Sequence, residues 1–221
     1  MENAGPVVLV VGVVGLIGGL IWLAYWLEKK RTEFMQGYAE SKGLTFLGAN
    51  QELWKQLETF KLFGQGHSRK LRNAMRGLKE VGEVHVADYK YVTGSGKHQQ
   101  THEQTIVVVR TPGRAAPHFF ARRQNAFFDA IGKVFGGQDI NFDDDPEFSK
   151  AWVLQTAGDE RLLRNFMSPQ LRETLTRLAN KKPQLEASGE LLLLHFSRRL
   201  KKHEDLDGLL ADATNVRRHW S

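Results

Sequence analysis

The hydropathy pattern opens on an unbroken apolar run from Pro6 to Leu27: 22 residues with no charge, no amide and no hydroxyl apart from Tyr25. As a helix this run is about 33 Å long at ~1.5 Å per residue. The hydrocarbon core of a bilayer is roughly 30 Å thick, so the run predicts one membrane-spanning helix with slight room for tilt. Thirteen of its residues are Val, Leu or Ile, and their insertion gain of about 0.3–0.6 kcal/mol each outweighs the four glycines. A secretory signal has a basic start, an apolar core of about 7–15 residues and a small-residue cleavage site. Here the start is Met-Glu-Asn and the run closes on Trp22, Tyr25 and Trp26. A buried helix of a soluble protein rarely stays apolar on every face over such a length.

Beyond Leu27 the pattern becomes mixed. Phe34 and Tyr38 keep helical spacing up to Gly43, a natural C-terminal stop, so the helix is expected to continue as a stalk. Leu44–Phe46 is a short strand candidate, and Asn50 is placed to cap a helix over Gln51–Glu58. Phe60–Gly66 and Asn73–Lys79 read as weak strands. The clearest β signal is Glu83–Thr93 and Thr101–Thr111, two runs rich in Val, Tyr, Thr and Ile around Gly94-Ser95-Gly96, which predicts a long hairpin. Ile106–Val109 lacks polar alternation, so that strand is expected to be central and covered on both faces. Pro112 and Pro117 bound a loop before a strand over His118–Arg122. Phe127, Phe128, Ile131 and Phe135 mark a helix ended by Gly136-Gly137.

Asp145-Pro146 reads as a cap with proline at the first helical position. Trp152–Thr156 is a strand, Asp159 and Ser168-Pro169 open two helices, and Gln184–Ala187 with Glu190–Arg198 forms a second hairpin around Ser188-Gly189. The last helix spans Glu204–His219, with Leu206, Leu209, Leu210, Ala213 and Val216 on one face and Arg217, Arg218 and His219 complementing the C-terminal dipole. Hairpins without a βαβ rhythm predict an α+β fold with a mainly antiparallel sheet and flanking helices.

Charge gives the span a direction. Lys29, Lys30 and Arg31 follow it at once, while Glu2 is the one charged side chain before it. Positive residues stay in the cytoplasm. The expected organisation is a short extracytoplasmic N-terminus (1–5), the span (6–27), a juxtamembrane stalk (28–43) and a cytoplasmic domain (44–221). The chain has no cysteine, which suits a reducing compartment. Lys29, Lys30 and Arg31 are candidates to face anionic lipid. Gly12, Gly15 and Gly19 share a helix face, and Gly15-x-x-x-Gly19 would let a second helix approach closely. The membrane bilayer is therefore the first expected partner, and self-association through the span the second.

Three segments carry a resemblance: FKLFGQGHSRKLRNAMRG (Phe60–Gly77), VADYKYVTGSGKHQQTHEQTIVV (Val86–Val108) and QDINFDDDPEFSKAWVLQTAGDE (Gln138–Glu160). With F-x-L-F-x-x-G, D-Y-x-Y before G-S-G-K, and D-I-x-F-x-x-x-P-E-F-S in this order, the chain resembles a group of uncharacterised bacterial single-pass membrane-anchored proteins over roughly residues 35–165. The phenylalanine of that group's F-D-Y is Ala87 here. The resemblance implies a bacterial origin and a membrane anchor and supplies no catalytic residue; with the basic flank of the span, the expected location is the bacterial inner (plasma) membrane.

The candidate chemistry is thin. Gly94-Ser95-Gly96-Lys97 ends like a phosphate loop, but Tyr91 replaces the first glycine, His98 replaces Ser/Thr, and strands lie on both sides. His98 and His102, even with His85, fall short of a zinc set, which needs three or four convergent ligands. Asp139, Asp143, Asp144, Asp145 and Glu147 lack the calcium-loop spacing and read as a cap, turn residues or an acidic docking loop. No metal or cofactor is expected.

The basic stretches His67–Lys79 and Arg198–Lys202 lack interleaved aromatics, which disfavours nucleic acid. There is no cysteine nucleophile, G-x-S-x-G or H-E-x-x-H. The leading expectation is a protein-interaction or scaffold module held at the inner membrane. The alternatives are a lipid-headgroup or small-molecule binding module, and an enzyme of unrecognised type.

Overall fold

The computed structural model describes residues 4–123 and 139–220. The helix expected over Phe127–Phe135 lies outside the described residues. The chain divides into two compact units, residues 1–43 and 44–221.

The first unit is one helix, α1 (Ala4–Lys42, 39 residues), about 58 Å long at ~1.5 Å per residue. Every side chain over residues 12–27 is exposed, and the helix is long and apolar enough to cross a membrane. It stops at Gly43, whose φ of +64° is left-handed and whose N–H reaches Glu40 O at 3.3 Å.

The second unit is α+β. Its eight strands are β1 (Thr45–Gly48), β2 (His67–Lys79), β3 (Gly82–Thr93), β4 (Gln100–Arg110), β5 (Ala116–Arg123), β6 (Trp152–Thr156), β7 (Gln184–Gly189) and β8 (Leu191–His195). They form one antiparallel sheet in the order β1-β2-β3-β4-β8-β7-β5-β6. The helices are α2 (Gln51–Leu57), the single turn α3 (Lys61–Gly64), α4 (Pro146–Ala151), α5 (Glu160–Phe166), α6 (Pro169–Leu178) and α7 (His203–Arg218). Side-chain caps set four of these starts. Asn50, Asp145, Asp159 and Ser168 each accept a backbone N–H from the first turn.

The expected hairpin is β3–β4, with Ala87 opposite Ile106 and Glu83 opposite Arg110. Ile106–Val109 is fully buried because β4 lies between β3 and β8 and both faces of the sheet are covered. On one face Leu53, Leu57, Phe60 and Phe63 pack against Ala87, Tyr89, Ile106, Val108 and Leu193. On the other, α7 packs on β4 and β8, whose Val107, Val109, Leu192 and Leu194 are fully buried. Burying a side chain of this size contributes roughly 1.5–3 kcal/mol.

The structure corrects several element assignments. Phe60–Gly66 is a helical turn, not a strand. Phe63 N and Gly64 N both bond Phe60 O, at 2.9 and 3.2 Å, and this places Phe60 and Phe63 on the core side. A short apolar run cannot signal its own period. Strand β2 starts at His67, not Asn73. Strand β1 pairs only with its second half, Ala74–Arg76, so the first half lies at the sheet edge, with His67–Lys70 exposed and Leu71 turned into the core.

Pro117 lies inside β5, at a register irregularity between Ala116 and Phe119, the kind of position where a strand tolerates a missing N–H. Strand β8 ends at His195. The following 196–200 segment is drawn onto the sheet by Thr105, whose N–H donates to Arg198 O and whose Oγ1 accepts from Leu200 N. Thr105 Oγ1 also donates to Asp88 Oδ1 at 3.0 Å, and Asn73 Nδ2 reaches Asp88 Oδ2 at 3.0 Å. One buried carboxylate thus ties β2, β3 and β4 together.

Candidate functional site

The groups suggested by the sequence disperse when the chain folds. Gly94–Lys97 belongs to a turn between β3 and β4, where Gly94 and Gly96 take φ of +75° and +56°. His102 Nε2 lies 2.8 Å from Thr93 Oγ1, and its ring stacks on Tyr91 at 4.7 Å. His85, opposite Val108, meets Glu83 at 2.9 Å. It lies six positions along β3 from Tyr91, roughly 20 Å away, so the histidines do not converge.

Within the acidic cluster, Asp139 accepts from Gln155, and Asp144 and Asp145 hold Arg172 at 2.7 and 2.9 Å. The Arg172 side chain is 7 % exposed, and its guanidinium sits 4.5 Å over Phe142. In the first basic stretch Arg69 is spent on the chain itself, donating to the carbonyls of Phe63, Gly64, Gln65 and Gly66.

On α1, Gly12, Gly15 and Gly19 leave open space where a Cβ would stand. Just beyond, Lys30 pairs with Glu33 at 2.8 Å and reaches the Trp26 ring at 6.0 Å. Arg31 lies 4.9 Å over Phe34. Lys29, Lys30 and Arg31 therefore follow the apolar stretch as one basic collar.

Two groupings have no sequence signal. The first centres on Glu186 of β7, which is buried. Its two oxygens accept the Lys61 N–H at 2.9 and 2.8 Å, and Oε1 lies 2.9 Å from His118 Nε2. The Lys61 ammonium sits 4.2 Å over the Phe120 ring. Burial pushes the Glu186 pKa up, while the His118 and Lys61 hydrogen bonds pull it back. Burial also brings the Lys61 ammonium down to about 8, against the pull of Glu186. Neither cleft described below is lined by Glu186, His118 or Lys61. The arrangement instead fastens the α3 turn to β5 and β7 through one carboxylate.

The second grouping surrounds the end of α7. Two open clefts meet at the β2–β3 turn. One, of about 330 Å³, lies between Lys79–Glu80 and the Asp207, Leu210, Ala211, Thr214 and Asn215 side of α7. The other, of about 340 Å³, is lined by Glu80, Val81, Thr111, Arg114, Arg217 and Arg218. Glu80 and Arg218, joined at 2.7 Å, belong to both.

Arg217 does not merely complement the helix dipole. It is 1 % exposed, and its Nε donates to Thr111 Oγ1 at 2.7 Å while Nη2 donates to Thr111 O and Arg114 O at 3.2 and 2.7 Å. Its guanidinium lies 3.7 Å over Trp220. No periodicity distinguishes this arginine from its exposed neighbour, because the loop that accepts its bonds is about a hundred residues away. Large exposed apolar side chains are sparse on this unit; Leu78 and Leu162, at 81 % and 60 % exposure, are the prominent ones among the described residues.

The class defined by this architecture is an α+β domain, built on one antiparallel sheet, behind an apolar N-terminal helix. No protein-family model matches the chain, and no curated protein matches it. Among solved structures, the crystal structure of the mycobacterial trehalose monomycolate transport factor A, TtfA, is similar, with a TM-score of 0.57 over 85 % of this chain and 93 % of that one. The two sequences are 9 % identical, so the likeness is one of fold.

Proposed function

We propose that the chain is a single-pass protein of the bacterial inner membrane whose 44–221 domain stays in the cytoplasm and acts as a docking module for a protein partner. The observation that carries this reading is the unbroken α1, apolar through Leu27, exposed over residues 12–27, and basic at Lys29, Lys30 and Arg31 immediately afterwards. For the domain, support comes from its clefts, which are open and lined by charges of both signs. With few exposed apolar side chains, such a surface suits reversible polar docking better than a permanent hydrophobic interface.

Topology is testable without background, because the chain has no cysteine of its own. A Lys97→Cys variant in spheroplasts reacts with a membrane-impermeant maleimide only after permeabilisation; labelling in intact spheroplasts refutes the orientation. For docking, a photocrosslinker at Asn215 yields one discrete adduct that Asp207→Lys abolishes, whereas one at Leu162 does not yield it. Identical adducts from both positions refute docking along α7.

A further inference from the structure

The cleft at the end of α7 gathers three guanidiniums around one carboxylate: Arg114, Arg217 and Arg218 against Glu80. Arg217 is buried, and its Nη1 has no hydrogen-bond partner. Among the described residues neither Arg217 nor Arg114 has a carboxylate within ion-pairing distance. Burial and the nearby Arg114 lower the Arg217 pKa to about 10, and Glu190 offsets this only partly. Glu190 is itself engaged, accepting from Gly113 N at 2.8 Å and facing Arg110 at 3.4 Å. Among the described residues the cleft therefore sets three guanidiniums against the one carboxylate of Glu80. A buried guanidinium without a counter-charge is costly, and an incoming anion removes that cost.

The third arginine can be released. Arg218 is held by Glu80 in a pair whose side chains are 51 % and 82 % exposed, and exposed pairs contribute little. Arg114 makes one long bond, to Trp220 O at 3.4 Å. Both side chains can swing onto a ligand while Arg217, fixed by Thr111, the Arg114 carbonyl and Trp220, stays in place.

We infer that this cleft binds a phosphoryl anion, clamped by Arg114 and Arg218 over the fixed positive charge of Arg217. A carboxylate offers two oxygens and one charge, which a single guanidinium satisfies. A phosphoryl group offers three acceptor oxygens and up to two charges, the match for three arginines. The volume suits a small group, being near the lower end of ligand pockets. A soluble phosphate and a phospholipid headgroup carry the same chemistry. The inference depends on neither the orientation of α1 nor the protein partner.

The test uses the full chain in phosphatidylcholine nanodiscs, titrated calorimetrically with inorganic phosphate and pyrophosphate at constant ionic strength. Saturable binding is expected, weakened at least about tenfold in Arg114→Gln/Arg218→Gln, the change given by loss of about 1.4 kcal/mol of charge-assisted contact. The exposed control Arg161→Gln/Arg177→Gln leaves it unchanged, and unaltered melting of each variant shows that the fold is intact. Repeating the titration in phosphatidylglycerol nanodiscs separates the sources: weaker phosphate binding there identifies a competing headgroup, and equal binding identifies a soluble ligand. No saturable binding of either anion, or a double variant that binds as tightly as the parent, overturns the inference.

Discussion

His195 lies on β8 between Ile106 of β4 and Gln184 of β7, 3 % exposed, with Nδ1 lacking a partner. Burial lowers its pKa from the usual 6.5 to about 4, against a smaller opposing pull from the Phe196 backbone. Between these two pH values the unfolded chain takes up a proton that the folded chain refuses. The stability associated with His195 is therefore complete above about pH 6.5 and is lost as pH falls through 4. At about 1.4 kcal/mol per pH unit for one proton, the whole window amounts to about 3 kcal/mol, a large part of a typical domain stability of roughly 5–15 kcal/mol.

Glu186 works in the opposite sense. Its raised pKa makes ionisation costly, so its contribution favours the folded state as pH falls. The parent's pH profile mixes the two, and the difference between parent and His195→Leu isolates the histidine. Leucine is close in volume and does not titrate, so at pH 7.5 the two proteins should differ by less than about 1.5 kcal/mol. At pH 4.5 the variant should have gained about 2–3 kcal/mol relative to the parent. Urea unfolding of the full chain in nanodiscs, followed by the fluorescence of the buried Trp152 and Trp220, measures both. Parallel pH profiles for the two proteins would refute the reasoning.

Three further outcomes are expected. Gly66→Ala should destabilise by about 1–3 kcal/mol, read as a lower urea midpoint, because φ is +58° and a Cβ there would stand 2.1 Å from Val92 O. Arg172→Leu should lose about 2–3 kcal/mol in the same assay, since it removes the donor shared by Asp144, Asp145 and Met167 O; unchanged stability would show that the pair is idle. Gly15→Ile with Gly19→Ile should abolish any self-association signal in a membrane two-hybrid assay, and a signal that survives would exclude that helix face.

Much of the architecture could be read from local pattern. The α1 run, the β3–β4 hairpin, the Asn50, Asp145 and Ser168 caps and the apolar stripe of α7 all declare themselves within a few residues, because their physics is local. What could not be read lies where two distant segments decide the outcome. Phe60–Phe63 looks extended until the Glu186 carboxylate, 125 residues away, receives the Lys61 N–H. Arg217 resembles Arg218 until Thr111 and Arg114 accept its bonds. Asp144 and Asp145 read as turn and cap residues until Arg172 pairs with both. In each case the sequence supplies a polar group and tertiary contact alone supplies its partner.

The sheet's central seam joins β4 to β8, with Ile106 opposite His195. During synthesis the β2–β3–β4 meander is complete long before its neighbour leaves the ribosome. At about 5–20 residues per second the wait is on the order of 5–15 seconds. Throughout it, a run of isoleucine and valine offers an open backbone edge, a template for whichever strand arrives first. Two copies translated side by side could lend each other that last strand, so exchange between nascent neighbours is the characteristic hazard built into this order of strands.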